Sequence, residues 1–212
     1  MFKQKEKSNL IYTSGQNIDR LTSIYKACKR TGKIFVVDIY VAKVLKELSK
    51  YAGIPYPSEK FEKIKVMFPY FTSRRLKNEG NEKVLYQFKK FKITKEEISN
   101  KPDKIIMLVR PSMRKDLDKI NEIDGGNFIY SMWEGYLQKP TTKKFVDYLR
   151  NRKFKVHKIH TSGHADTKTL KKMVEAIKPK NIVPIHTFEG YKYENIFKEP
   201  IVALKDGEIR KI

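Results

Sequence analysis

Three of the four histidines in this 212-residue chain fall in two short segments, "KIHTSGHADTKTL" (158–170) and "NIVPIHTFEG" (181–190). These segments carry His160, His164 and His186. Imidazole can hold a metal ion through a neutral ring nitrogen or move a proton near neutral pH. If "KVHKIHT" (155–161) is a strand, its odd spacing sends His157 and His160 to opposite faces. His157 then reads as a structural residue, and His164 lies in the loop beyond the strand. With "NIVPIHT" (181–187) as the next strand, His160 or His164 would meet His186 at one edge of a sheet. A hydrolytic zinc site needs about three protein ligands plus water. The chain has no HxHxDH-like cluster and no CxxC, so the histidines form part of such a centre at most.

A second pattern supplies phosphate chemistry. "IYTSGQNIDRL" (11–21) and "IHTSGHADTKTL" (159–170) both run from a strand through Thr-Ser-Gly into a helix start. Glycine allows a tight turn there, while hydroxyls and free N–H groups at the helix start favour an anion. Candidate phosphate contacts are therefore Ser14, Gly15, Gln16, Asn17 and Arg20 in the first turn. In the second, the corresponding Thr-Ser-Gly positions are Thr161, Ser162 and Gly163. The alternative is that these residues only cap their helices. Ligands of open α/β sheets gather at the carboxyl ends of the strands, where both turns should lie.

The elements that must position these turns alternate along the chain. Apolar runs "NLIYT", "KIFVVD", "KIIMLVR", "NFIYSM", "KVHKIHT" and "NIVPIHT" have the character of buried parallel strands. Amphipathic helices are expected over 17–30, 40–51, 140–153 and 166–178, and Thr94 and Glu97 have capping-box spacing. The order implies an α/β fold, an open and mostly parallel sheet with helices on both faces. Residues 54–103 are aromatic, basic and less periodic, and are expected to form an insertion or lid. The tail "VALKDGEIRKI" suggests a β-hairpin with Asp206-Gly207 in a type I′ turn. Tyr56, Phe61, Phe68, Tyr70 and Phe71 lie among basic residues, suited either to core packing or to stacking unpaired bases. Trp133 reads as packing beside the cleft.

Net charge is +22, and residues 1–157 hold 35 Lys/Arg against 17 Asp/Glu. Such a surface suits a polyanion, because neutralised phosphates release counterions, although a generally lysine-rich composition would give the same excess. One cysteine excludes an internal disulfide and fits a reducing cytoplasm. The start "MFKQKEKSN" is not a signal peptide, and no apolar run approaches the roughly 20 residues of a membrane span. With no GxGxxG after the first strand, a dinucleotide-binding Rossmann site is disfavoured.

"IHTSGHADTKTLKKMVEAIKPKNIVPIHT" (159–187) resembles the C-terminal motifs of the β-CASP branch of metallo-β-lactamase-fold hydrolases, the group that includes ribonuclease J. "SGQNIDRLTSIYKACKRTGKIFVVDIYVAKVL" (14–45) and "IYSMWEGY" (129–136) are similar to further β-CASP segments. The resemblance implies a β-CASP domain over 1–157 and the C-terminal strands and helix of a metallo-β-lactamase αββα core over 158–212. By the same resemblance, His164 would protonate the leaving oxygen and His186 would hold one zinc of a two-metal site. His160, Thr161 and Ser162 would bind phosphate or support His164, and the Ser-Gly-His-Ala loop, with Gly163 and Ala165, would itself hold phosphate or RNA. Family members also carry an N-terminal half with the HxHxDH cluster and an acidic partner for the His164 equivalent, and neither motif occurs here. The chain is therefore expected to be the C-terminal portion of an RNA-cleaving phosphodiester hydrolase, inactive alone and completed by an N-terminal half or a homo-oligomer. The alternative is a non-catalytic RNA-binding module derived from one.

Overall fold

The computed structural model describes residues 8–161, 165–185 and 187–209. The chain divides into two compact units, Met1–Thr161 and Ser162–Ile212. In the first, chain order runs from β1 (Asn9–Thr13) and α1 (Ile18–Arg30) to β2 (Ile34–Asp38), α2 (Ile39–Leu48) and β3 (Ile64–Met67). Three short helices follow, α3 (Tyr70–Asn78), α4 (Lys83–Gln87) and α5 (Lys95–Asn100), and then β4 (Ile105–Leu108) and α6 (Arg114–Leu117). β5 (Asn127–Ser131), α7 (Pro140–Asn151) and β6 (Lys155–Lys158) complete the unit. The strands form one six-stranded sheet in the order β3-β2-β4-β1-β5-β6, and every pairing is parallel.

Alternation along the central strands builds two cores. Leu10, Val36, Met107, Phe128 and Tyr130 face a cluster that includes Ile98 of α5, Leu117 of α6 and Phe145, Val146 and Leu149 of α7. Their neighbours Ile11, Phe35, Val37, Ile106 and Ile129 face the other, with Leu21, Tyr25 and Cys28 of α1 and Val41, Ala42 and Leu45 of α2. Because both faces are covered, the strands read as continuous apolar runs. Burial pushes the Cys28 thiol up to about 12, so it stays protonated and serves as core packing.

Four expectations need correction, the C-terminal hairpin among them. β3 lies inside residues 54–103 and pairs with β2 over four positions, so this part of the segment is sheet edge rather than cover. Its sequence, "IKVM", buries Ile64 and Val66 on one face and leaves Lys65 only half-buried, as an edge strand allows. β6 ends at Lys158, which places His160 beyond the strand. In the second unit, the described residues of "NIVPIHT" make one isolated parallel bridge, Ile182 with Ile201. Pro184 has no N–H to donate and stops a ladder from extending through it.

α8 (Thr167–Ile177) is the one α-helix among the described residues of that second unit. Asp166 caps it by accepting from the Thr169 N–H at 2.7 Å. The tail is not a hairpin over its described residues, and positive φ occurs at Gly207 (79°) but not at Asp206, whereas a type I′ turn needs both. The turn is closed by Glu208 N–H donating to Lys205 O at 3.0 Å. Residues 210–212 lie outside the described residues. No described helix is long and apolar enough to cross a membrane.

Candidate functional site

β1 supplies the centre of the site. Its neighbours β4 and β5 are followed by elements in the core of α6 and α7, whereas α1, which follows β1, packs on the opposite face. Helices leaving toward opposite faces open a crevice at the carboxyl ends of adjacent strands, the usual place for a ligand in such sheets. The turn Ser14–Gln16 lies there. Ser14 Oγ accepts from Gln16 N–H at 3.2 Å, and Asn17 Oδ1 caps α1 by accepting from Arg20 N–H at 3.0 Å. Helix capping is therefore what Asn17 does in this structure. Gln16 is exposed and its Nε2 donates to the Tyr40 hydroxyl at 2.8 Å.

Gly15 has a reason other than turn geometry. A Cβ there would sit 2.7 Å from Arg110 Nη2, 2.9 Å from Val41 Cγ2 and 3.1 Å from Tyr40 Cε1, and its φ is not positive. The glycine thus lets the β1 turn close on α2 and on the arginine after β4. Replacing Gly15 by Ala should destabilise the fold by about 1–3 kcal/mol, the usual range for overpacking. Urea unfolding monitored by circular dichroism measures this, and an unchanged midpoint would refute the close-approach account.

Two arginines flank the turn. On one side, Arg20 Nη1 donates to Ser131 O at 2.8 Å and Nη2 to Thr161 O at 2.8 Å. One guanidinium thereby laces the end of α1's first turn to the carboxyl end of β5 and to the stretch after β6. Arg20 is committed to the backbone at Ser131 and Thr161 rather than standing free for a phosphate. On the other side, Arg110 Nε donates to Asp38 Oδ2 at 2.5 Å, and its guanidinium lies 5.4 Å from the centroid of the Tyr40 ring. Asp38 is almost fully buried and also caps α2 by accepting from Val41 N–H at 2.8 Å. A carboxylate held from two directions fixes the guanidinium plane, leaving other N–H groups of Arg110 beside Gly15. Asp38, Tyr40 and Arg110 were missed by sequence reasoning. The available signal was Arg110 as the charged residue closing the apolar run "KIIMLV" just before Pro111.

The histidines separate. His157 Nε2 is 2.9 Å from Asn127 Oδ1 across the β5–β6 pair, consistent with a structural residue. His160 and Thr161 are exposed at the carboxyl edge, and Ala165 is exposed just before the α8 cap. Ser162, Gly163, His164 and His186 lie outside the described residues. Among the described residues no group of three or more His, Cys, Asp or Glu side chains could hold a metal ion. The aromatics of 54–103 also divide, since Tyr56, Phe61 and Phe68 pack against the α1–α2 core while Tyr70 and Phe71 are exposed. Trp133, expected to be packed, is 60% exposed and meets Tyr136 edge-on at 5.4 Å.

Comparison with known proteins bears on the segment that leaves β6. Residues 150–192 match the family model of the Zn-dependent metallo-hydrolase RNA specificity domain. The matched stretch contains His160, the Ser-Gly-His-Ala sequence, α8 and His186, in agreement with the C-terminal part of a β-CASP, metallo-β-lactamase-fold protein. Its description ties the segment to zinc-dependent hydrolases and to RNA. A crystal structure of a protein of unknown function from Enterococcus faecalis V583 shares the fold, with a TM-score of 0.67 at 17% identity. The superposition covers 97% of this chain and 41% of that one, so the chain spans less than half the length of this structural relative. No curated protein matches the sequence.

Proposed function

We propose that this chain is the C-terminal, RNA-handling portion of a metal-dependent phosphodiester hydrolase. In this reading Met1–Thr161 acts as the β-CASP domain, and the segment after it supplies strands and a helix to the metallo-β-lactamase core. The observation that carries the reading is the RNA specificity domain match at 150–192. The net charge of +22 and the guanidinium of Arg110 beside Gly15 support it. His164 would donate a proton to the leaving oxygen, and His186 would be one metal ligand. Thr161, Ser162, Gly163 and Ala165, with His160, would hold the scissile phosphate, and Ser14, Gly15 and Gln16 would contact the neighbouring backbone.

Zinc is the metal that the family description names, and bound in such a centre it would supply Lewis acidity. The described residues do not by themselves fit a two-metal centre, and the sequence holds no HxHxDH cluster. The remaining ligands, and the acid that would partner His164, are assigned to a metallo-β-lactamase half supplied in cis or in trans. Exposed apolar side chains of the second unit, among them Met173, Ile177, Ile185 and Phe188, suit a contact with such a half or with a second copy. The lone buried Cys28 suits a reducing cytoplasm.

Binding and cleavage are separable by experiment. For single-stranded RNA, contact with about four phosphates gives a log–log salt slope near −3, about 50-fold weaker binding from ~50 to ~200 mM salt. Fluorescence anisotropy with a labelled oligonucleotide reads this directly, and a flat salt response would remove phosphate-driven binding. Adding an HxHxDH-bearing half with zinc or manganese should produce cleavage. A steep salt response with no cleavage would identify a binding module without chemistry.

A further inference from the structure

A second concavity lies away from the carboxyl edge, on the face covered by α5 and beside Ile34, the first residue of β2. It is a partly open cleft of about 420 Å³, and its lining includes Ile34 and Ile93 together with Lys65, Lys90, Lys92 and Lys101. Its position is set by the edge of the sheet, where Ile93 N–H donates to Val66 O at 3.0 Å and brings Lys92 alongside β3. We propose that this cleft binds a small anion carrying two or more phosphate groups, such as inorganic pyrophosphate or the polyphosphate chain of a nucleotide.

The local charge is strongly one-sided. Glu97 is the one carboxylate lining the cleft among the described residues, and its oxygen is already engaged by Thr94 N–H at 2.7 Å in the α5 capping box. That hydrogen bond, and after it the nearby charges of Lys65 and Lys101, hold the Glu97 carboxyl below its ordinary range. Lys90 pairs with Glu59 in an exposed contact, and Lys92 lies 5.4 Å from the Phe68 ring centroid. Neither Lys65 nor Lys101 has an ion-pair or ring partner among the described residues. Like charges gathered in a recess repel one another, and a polyanion removes that repulsion while releasing counterions.

The volume narrows the ligand. It falls in the range of about 300–1,000 Å³ typical of small-molecule sites, more than a single phosphate needs. Asn100 adds amide donors at the wall. No aromatic ring is among the described lining residues, so recognition is of phosphate and not of a base. Adenine and guanine nucleotides of equal charge should therefore bind alike. The site does not depend on the hydrolase reading.

Isothermal titration of the full chain with pyrophosphate at low salt tests the proposal. The K65Q/K101Q variant should bind at least tenfold more weakly. The K143Q/K144Q variant, of equal net charge and altered on the exposed side of α7, should bind as the parent does. ATP and GTP should agree within threefold. K101Q alone, at an exposed position, should still weaken binding while its melting curve overlays the parent's, which separates binding from folding. Absence of saturable binding, or equal loss in both double variants, would overturn the proposal. So would an RNA oligonucleotide that displaces pyrophosphate and depends more strongly than pyrophosphate on Lys65 and Lys101, since the lysines would then be an RNA track.

Discussion

With a metallo-β-lactamase half supplied, replacing His164 by Ala lowers RNA cleavage about 10²–10⁴-fold, the usual contribution of a positioned proton donor. RNA affinity and zinc content should stay within twofold of the parent, because in the proposed reading the side chain would act on the leaving oxygen and not on the metal. His186→Ala should behave differently, losing zinc as measured by metal analysis along with activity. The pH profile adds a sign. A histidine that donates its proton must be protonated, so the rate should fall as pH rises through its pKa, and H164A should lack that limb. If both variants lose RNA binding and zinc equally, or if neither loses activity, the assignment of roles fails. The prediction rests on residues whose order and spacing match the RNA specificity domain at 150–192, with Arg20 tethering the backbone at Thr161 just before them.

How far the sequence could carry this reading depended on whether a signal was local. β1, β2, β4 and β5 are buried on both faces and announce themselves as apolar runs such as "FVV" and "IIML". β3 escaped because an edge strand keeps an outward lysine, which breaks the run into a pattern that four residues are too few to establish. "NIVPIHT" has strand composition, yet strand formation depends on a pairing partner and tolerates proline poorly, and the described residues show one bridge. The first Thr-Ser-Gly turn was legible because a turn is written in adjacent residues. The Asp38–Arg110 pair spans 72 positions, and no local pattern links two residues that meet only because β2 and β4 are neighbours. The aromatics of 54–103 show the same limit, since Phe68 and Phe71 have similar sequence surroundings and only the direction of each side chain separates core from surface.

Phe145→Ala should be the most damaging single change to stability, costing about 3–5 kcal/mol. The ring is fully buried on α7, meets Tyr12 and Phe128 edge-on at 6.2 and 6.0 Å, and stacks on Tyr148 at 6.1 Å. Removing it empties a space bounded by β1, β5 and α7 itself, where rigid aromatic neighbours leave little room to collapse. Urea or thermal unfolding gives the size of the loss, and a cost below about 1 kcal/mol would contradict this packing. The functional consequence follows from topology. α7 leads directly into β6, and the carboxyl end of β6 carries His160 and Thr161, so a loosened α7 relaxes the strand that leads to those two residues. RNA affinity should therefore fall in F145A in proportion to the unfolded fraction and recover at lower temperature or lower denaturant. H164A, by contrast, should remain fully folded and catalytically impaired under every condition in which the parent is active. Only the histidine variant can then be read as chemistry.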